Sequence, residues 1–242
     1  MEATELTARL RAVQLRIEAA CQRAGRDADS VRLLPVSKTI SDDTIRLAYA
    51  AGCRCFGENR VQEAKRKSAA LHDLAEIEWS IIGHLQTNKV RDVVSFAHEF
   101  QALDSLRVAE ALDRQLQAAG RALTVFIQIN TSGEASKYGL PPDEAAAFVQ
   151  ALKPYSSLRV RGLMTLALLS DDTQRVRACF IELRQLRERL REHLPEGMTL
   201  DELSMGMSGD FEIAIEEGAS VVRVGQAIFD PRRLPDTFFW PT

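Results

Sequence analysis

A lysine that follows a strand-like run, Lys38, could supply a reactive amine. The apolar run 31–36 is followed directly by Ser37 and Lys38. Because side chains alternate along a strand, Leu34, Val36 and Lys38 should share one face, and the ammonium group should point inward. Such a lysine either extends its charged end into solvent or, when desolvated, offers an amine for Schiff-base chemistry with a carbonyl compound. Position alone leaves both interpretations open.

Two glycine-containing segments further along the chain could bind an anion. The segment SMGMSGDFEIAIEEG predicts a tight turn into a helix, with Ser208 as the N-cap and Asp210 in the first turn. The segment VRVGQAIF contains Gly225, where the backbone can approach a ligand closely. Exposed amide N–H groups at such turns favour a phosphate. Simple helix capping by Ser208 is the alternative interpretation.

Other residues that could do chemistry have weaker claims. His84 follows the third strand-like run and is either a pocket residue or a loop histidine with local hydrogen bonds. Glu58 is expected to point away from the same site because side chains alternate along a strand. The remaining five lysines are predicted on helices or in a polar loop and not at a strand end: Lys65, Lys67, Lys89, Lys137 and Lys153.

The elements that must position these residues follow a regular alternation. Apolar residues at spacings of three and four predict an amphipathic helix over residues 1–25 that ends at Gly25. Over residues 31–229, eight apolar strand-like runs alternate with helical stretches, at about 25 residues per unit, which is typical of a (β/α)8 TIM barrel. A doubly wound open sheet is the alternative. Pro35 lies inside the first strand and predicts a bulge there.

This alternation predicts a single α/β domain over residues 1–242, in which the N-terminal helix replaces the missing eighth outer helix. Active sites of such barrels lie at the carboxyl ends of the strands, and the loops after strands seven and eight bind phosphate. Closure makes strand eight a neighbour of strand one, so a phosphate bound there would lie close to Lys38. A ligand with a phosphate at one end and an aldehyde at the other fits, and pyridoxal 5′-phosphate is the candidate.

Composition excludes several other classes of protein. The chain has 242 residues, a net charge of −3 and 6% aromatic residues, which gives no basis for binding nucleic acid or an anionic membrane surface. The four cysteines are scattered without a CxxC pair, and no histidine stands at ligand spacing to them, so we expect no metal site. There is no apolar signal segment or membrane span, so we expect a cytoplasmic protein.

Seven segments together resemble the YggS/PROSC group of pyridoxal-phosphate homeostasis proteins, which are related to the barrel domain of bacterial alanine racemase. The resemblance covers nearly the whole chain, from about Val31 to Phe229. It rests on PVSKT, FGENRVQE, IGHLQTNK, INTSGEASKYG, RGLMTLA, LSMGMSGDFEIAIEEG and VRVGQAIF.

The resemblance implies a role for each of six residues. Lys38 would form the Schiff base, Asn59 would line the ring pocket and Arg223 would face the pyridine nitrogen. The positions that match the phosphate-binding residues are Ser208, Gly225 and Gln226. A permanent cation beside the pyridine nitrogen disfavours its protonation, so the ring is a weaker electron sink, which suits a carrier or a racemase better than a transaminase.

Three positions depart from the family pattern. Gln226 stands where threonine is usual, so a hydroxyl group to phosphate is lost while the backbone N–H remains. Ser80 stands where histidine is common, and Pro35 replaces a small apolar residue. None of the three removes Lys38, Asn59 or Arg223, so we expect the cofactor site to persist.

The resemblance implies a non-catalytic carrier that holds pyridoxal phosphate in intracellular cofactor homeostasis and indirectly affects amino-acid and keto-acid balance. Apo forms of pyridoxal-phosphate enzymes are possible partners, and we expect a monomer. The alternative is a pyridoxal-phosphate-dependent amino-acid racemase, which needs a second acid–base group on the face opposite the lysine. Tyr138 is the one tyrosine placed to supply it. A cofactor-free Schiff-base aldolase is a third possibility, but it leaves the two glycine turns without a role.

Overall fold

The architecture is an eight-stranded parallel barrel, described by a computed structural model over residues 1–229; residues 230–242 of the predicted domain lie outside the described residues. The strands are β1 (Arg32–Pro35), β2 (Cys55–Glu58), β3 (Glu78–Ile81), β4 (Glu99–Leu103), β5 (Leu123–Gln128), β6 (Leu158–Met164), β7 (Glu202–Ser204) and β8 (Val221–Val224). They are hydrogen-bonded in the order β1-β8-β7-β6-β5-β4-β3-β2. The two ends of this order meet through one parallel bridge between Val36 and Gly57, so the sheet curls into a barrel. The predicted (β/α)8 barrel is therefore confirmed and the open sheet is excluded.

Helices follow the strands and form the outer layer. Within residues 1–229 they are α1 (Ala3–Arg23), α2 (Asp42–Ala50), α3 (Val61–Ala70), α4 (Val90–Phe96), α5 (Leu106–Ala118), α6 (Ala145–Ala151), α7 (Thr173–Arg191), α8 (Phe211–Glu216) and α9 (Gln226–Phe229). Short 3-10 turns at 28–30, 87–89 and 142–144 precede β1, α4 and α6. No helix in this part of the chain is both long enough and apolar enough to cross a membrane.

Helix α1 takes the position of the eighth outer helix, as the sequence predicted. It packs against α8, α9 and α2, because its buried face carries Leu6, Leu10 and neighbouring apolar residues at helical spacing. On the rim of this contact the guanidinium group of Arg16 donates to the carboxylate of Glu212 at 3.0 Å. The helix stops at Gly25, whose φ of +63° is readily adopted only by glycine.

The bulge predicted at Pro35 is wrong. The register between β1 and β8 runs without a shift up to the pair Pro35–Val224. The N–H of Val36 faces β8 and donates to the carbonyl of Val224 at 2.9 Å, whereas the N–H of Ser37 faces β2. Alternation therefore places the missing N–H of Pro35 on the β2 side, where β1 and β2 share only one bridge. Proline is tolerated there because little strand pairing is lost.

Shortening a buried apolar side chain of α1 should destabilise the whole barrel. The side chain of Leu6 is fully buried, so Leu6→Ala should lower the free energy of unfolding by about 2–5 kcal/mol, the usual effect of leaving a cavity. Leu15 is on the same helix and 49% exposed, and Leu15→Ala should change it by less than about 0.5 kcal/mol. Urea unfolding of both variants measures the difference. Equal effects would show that α1 does not belong to the folding unit of the barrel.

Candidate functional site

Lys38 lies in a strained turn directly after β1. Its side chain is buried, with 6% exposure, which is unusual for lysine. The next residue, Thr39, has a φ of +67°, and it is the one non-glycine residue within residues 1–229 with a positive φ. The N–H of Thr39 donates to a carboxylate oxygen of Glu63 at 2.8 Å, which holds the turn in place. Strain of this kind persists where surrounding contacts impose it, and it is concentrated at functional sites.

A buried ionic cluster supports this turn from the outer side of the barrel. Lys67 on α3 is fully buried, and its ammonium group donates to the carbonyl oxygen of Ser37 at 2.7 Å, to Glu58 at 2.8 Å and to Glu63 at 2.6 Å. The hydroxyl of Ser37 donates to the same oxygen of Glu58 at 2.6 Å. Two carboxylates and one ammonium group therefore tie the end of β1 and the end of β2 to α3.

The sequence pattern does not reveal this cluster. It predicts Lys67 on a helix, four residues after Glu63, which is also the spacing of a surface ion pair. Glu58 does point away from the barrel interior, as alternation predicted, but it is fully buried between the strands and α3. Burial raises the pKa of Glu58, while the charge of Lys67 acts to lower it. Only tertiary contacts distinguish a cluster of this kind from solvated helix charges.

Asn59 follows β2 and has an unsatisfied amide oxygen. Its Oδ1 is buried and accepts no hydrogen bond from the residues that the structure describes. Gly83 after β3 packs so closely on Asn59 that a Cβ at position 83 would lie 2.1 Å from the backbone oxygen of Asn59. Buried amides in proteins normally have partners, so this amide is available to a ligand at the barrel mouth.

The turns after β7 and β8 are bonded to each other, which corrects the predicted role of Ser208. Helix α8 begins after Asp210, not after Ser208. The hydroxyl of Ser208 instead accepts the backbone N–H of Ala227 at 3.3 Å, next to Gly225 and Gln226. The carboxylate of Asp210 accepts the backbone N–H of Met207 at 2.5 Å. The predicted phosphate residues thus form one cradle built from two loops.

Arg223 lies inside the barrel near the end of β8. It is buried, with 2% exposure, and its two Nη groups donate to the hydroxyl of Ser204 and to the carbonyl oxygen of Thr165, both at 2.7 Å. Burial lowers the pKa of Arg223 to about 10, and the charge of Asp210 opposes that shift. Arg223 is therefore a cation at neutral pH. Burial also raises the pKa of Asp210.

The rim also carries His84, which follows β3, and Tyr138. Their rings stack with centroids 4.0 Å apart and an interplanar angle of 10°. His84 Nδ1 lies 3.8 Å from a carboxylate oxygen of Asp104, whose pKa is raised by burial. Tyr138 follows β5, which is four strands from β1 in either direction around the barrel. His84 is thus part of an aromatic pair on the rim.

The six predicted site residues lie on four consecutive strands of the barrel wall, in the order β7, β8, β1, β2. Ser208 follows β7; Arg223, Gly225 and Gln226 lie on or after β8; Lys38 follows β1; and Asn59 follows β2. The arrangement offers an amine, a permanent cation, an amide oxygen that has no partner within residues 1–229, and a cradle that includes a hydroxyl group. It fits a small ligand that has an aldehyde and an anionic group. Within residues 1–229 no group of three or more His, Cys, Asp and Glu side chains is placed to hold a metal ion.

Comparison with known proteins decides the family. Residues 9–232 match the family described as the N-terminal domain of alanine racemase. The pyridoxal phosphate homeostasis protein of Pseudomonas aeruginosa is 43% identical over 220 residues, which cover 91% of this chain and 93% of that protein. The chain belongs to the pyridoxal phosphate homeostasis protein family. The human protein of the same name is 40% identical over 234 residues, which cover 92% of this chain and 85% of that protein.

Two solved structures share the barrel. PipY of Synechococcus elongatus, solved with pyridoxal phosphate bound, has a TM-score of 0.82 and 36% identity, and the match covers 93% of this chain and 99% of that one. Alanine racemase of Clostridium difficile has a TM-score of 0.75 at 14% identity, covering 96% of this chain and 58% of that one. The racemase similarity shows a common fold only.

Removal of the Lys67 side-chain charge should leave a buried carboxylate without its cation. Lys67→Met should lower the free energy of unfolding by about 3–5 kcal/mol at pH 8, the usual effect of breaking a buried ion pair. Without Lys67 the pKa of Glu58, which burial already raises, should rise further. The folded state then keeps a proton that the unfolded state releases above about pH 4.3. The variant should therefore recover stability relative to wild type as the pH falls from about 8 to about 5.

A matched control comes from the same helix. Lys65 is exposed and pairs with Asp92, so Lys65→Met should change the free energy of unfolding by less than about 1 kcal/mol at either pH. Urea unfolding at the two pH values compares the variants. If Lys67→Met lowers the free energy of unfolding by the same amount at both pH values, Glu58 is not the uncompensated charge.

Proposed function

We propose that this protein binds pyridoxal 5′-phosphate as a Schiff base on Lys38 and acts as a non-catalytic carrier in cofactor homeostasis. The observation that carries the proposal is the buried lysine in a strained turn, next in the barrel wall to the cradle formed by the loops after β7 and β8. Support comes from a relative with 36% identity that was solved with this cofactor, and from relatives named as homeostasis proteins.

Lys38 would provide the covalent attachment. Its amine nitrogen would bond to the aldehyde carbon of the cofactor, forming a C=N bond with release of one water molecule. When bound, the cofactor supplies a ring that can accept electrons from an attached amino acid. The strained turn at Thr39 and the cluster around Lys67 hold the backbone of Lys38 in place.

The cradle would hold the phosphate. The hydroxyl of Ser208 and backbone N–H groups near Gly225 and Gln226 can donate to an anion, and the cradle is closed by the bond from Ala227 to Ser208. Gln226 has no hydroxyl group, so this position would contribute through its backbone. Asn59, with its unsatisfied amide, would contact the ring side of the ligand.

Arg223 would determine the chemistry that the bound cofactor supports. A guanidinium group cannot accept a proton, and as a cation it disfavours protonation of a neighbouring pyridine nitrogen. The ring is then less able to stabilise a carbanion, which suits storage and delivery of the cofactor. Apo forms of enzymes that use pyridoxal phosphate are the partner class that this role requires, and we propose that the carrier itself is a monomer.

Reduction should locate the cofactor. After loading with pyridoxal phosphate, borohydride should add hydride to the C=N carbon and fix the cofactor to the peptide that contains Lys38, which peptide mass spectrometry identifies. Lys38→Ala should lose both the fixed label and the yellow colour. Lys65→Ala, at an exposed lysine, should retain both. A label on another lysine in the wild-type protein would overturn the assignment of Lys38.

Chiral chromatography of amino acids incubated with the protein should distinguish a carrier from a racemase. The loaded protein, incubated with L-alanine and with other L-amino acids, should form no D-enantiomer above a protein-free control that contains the same concentration of pyridoxal phosphate. If D-amino acid forms in many turnovers per protein, the racemase alternative replaces the carrier. Tyr138→Phe then tests whether Tyr138 supplies the second acid–base group, because that variant removes only the hydroxyl.

A further inference from the structure

A line of buried polar side chains runs through the interior of the barrel to Arg223. Barrels of this kind are normally filled by branched apolar side chains. Here the hydroxyl of Ser204 accepts from Arg223 Nη1 at 2.7 Å and donates to Gln101 Oε1 at 2.6 Å. The amide nitrogen of Gln101 donates to Glu99 Oε1 at 2.6 Å. Four side chains on β8, β7 and β4 therefore form one continuous hydrogen-bonded chain.

The direction of this chain is fixed by its two ends. The guanidinium group of Arg223 can only donate and the carboxylate of Glu99 can only accept, so Ser204 must donate to Gln101 and the Gln101 amide has a single possible orientation. Every N–H and O–H dipole points from Arg223 toward Glu99. Hydrogen bonds aligned in this way polarise one another in a low-dielectric interior, so the charge of Glu99 acts on Arg223 across the barrel.

The far end of the chain lies at the amino-terminal mouth of the barrel. Glu99 also accepts from Arg32 at 2.8 Å and from the hydroxyl of Ser80 at 2.8 Å. This end borders a polar cavity of about 600 Å³ that opens to solvent. Position 80, where the sequence departs from the family pattern, is thus a hydrogen-bond donor to the carboxylate that ends the chain.

Arg223 keeps one donor group outside these bonds. Both Nη groups are bonded to protein, to Ser204 and Thr165. Within residues 1–229 no acceptor meets the Nε–H, and Nε is not among the enclosed polar atoms that lack a partner. A guanidinium group bonded at both Nη groups cannot rotate, so the direction of its Nε–H is fixed.

We propose that Gln101 and Ser204 are positioning residues of the cofactor site: they transmit the negative charge of Glu99 to Arg223 and fix the orientation of its guanidinium group for donation to the ring nitrogen of pyridoxal phosphate. This proposal rests on the proposed function, in which Arg223 faces that nitrogen. The cost of burying four polar side chains in a barrel interior is offset by the hydrogen bonds along the chain. Replacing a single link leaves its neighbours unsatisfied and Arg223 less restrained.

The test compares pyridoxal phosphate with its carbocyclic analogue, in which a C–H group replaces the ring nitrogen. Binding of each to the apo protein is measured by absorbance titration, and the ratio of the two dissociation constants reports the contact at the nitrogen alone. Wild type should prefer pyridoxal phosphate by about tenfold or more, as expected for a hydrogen bond from a charged donor. Gln101→Leu should lower this preference at least about fivefold, mainly through weaker binding of pyridoxal phosphate.

Two further variants test the charge of Glu99 and the hydrogen bond next to Arg223. Glu99→Gln keeps an acceptor of the same size but removes the charge, so the preference should fall without a large loss of stability. Ser204→Ala breaks the chain next to Arg223 and keeps the test available if Gln101→Leu does not fold. Gln128→Leu is the matched control, because Gln128 is a buried glutamine on β5 that bonds the carbonyl oxygen of Tyr138 and lies outside the chain. It should keep the wild-type ratio.

The outcomes distinguish this proposal from the proposed function. If wild type prefers pyridoxal phosphate and the chain variants keep that preference, or lose affinity for both ligands equally, the chain is only structural and the proposal is overturned. If wild type binds both ligands equally, Arg223 does not contact the ring nitrogen, and both the role of Arg223 and this proposal fall. The borohydride label on Lys38 is independent of either result.

Discussion

The hydrogen bonding of β8 to β1 is the constraint on which the site depends. Parallel pairing in the register Pro35–Val224 places the residues that follow both strands side by side at one end of the barrel. Lys38 and Gly225 are 187 residues apart in sequence, and only barrel closure makes them neighbours. The cradle then extends this contact to the loop after β7 through Ser208 and Ala227. Helix α1 completes the outer layer beside this junction, so the first residues of the chain stabilise the contact between its first and last strands.

The periodicity of the sequence was sufficient to predict the barrel and the placement of Lys38, Ser208 and Gly225 at strand ends, because these follow from local pattern and from closure. Asn59, Arg223 and Gln226 were indicated only by the family resemblance. Side-chain partners were not predictable in the same way. Ser208 has the sequence signature of a helix cap, but its hydroxyl bonds another loop. Lys67 looks like a surface helix residue, but it is fully buried against Glu58. The polar residues of the barrel interior alternate like any inward-facing strand residues, so only the structure shows that Gln101 and Ser204 bond each other.

The energetically unfavourable features of the structure, which are buried charge and a strained backbone turn, lie around two cations. Lys67 is buried outside the strands with two carboxylates, next to the one positive φ of a non-glycine residue within residues 1–229. Arg223 is buried inside the strands, has no salt bridge to a carboxylate of residues 1–229, and is linked by hydrogen bonds through Ser204 and Gln101 to Glu99. Lys67 holds the backbone at the end of β1 in place, and Arg223 presents a hydrogen-bond donor. In the proposed function they would restrain the amine and the ring contact of one ligand from opposite sides of the barrel wall.

Pro35 makes the hydrogen bonding of β1 to its two neighbouring strands unequal. On one side β1 is paired with β8 over its whole length, whereas on the other it meets β2 through a single bridge that proline cannot extend. The junction between β1 and β2 is therefore sparsely paired, as is that between β7 and β8, which share one register pair. Lys38 and Asn59 stand on the two edges of the β1–β2 junction. In the proposed function, opening of this junction would expose a molecule attached to Lys38 to water or to a receiving protein, while β1 stays paired with β8.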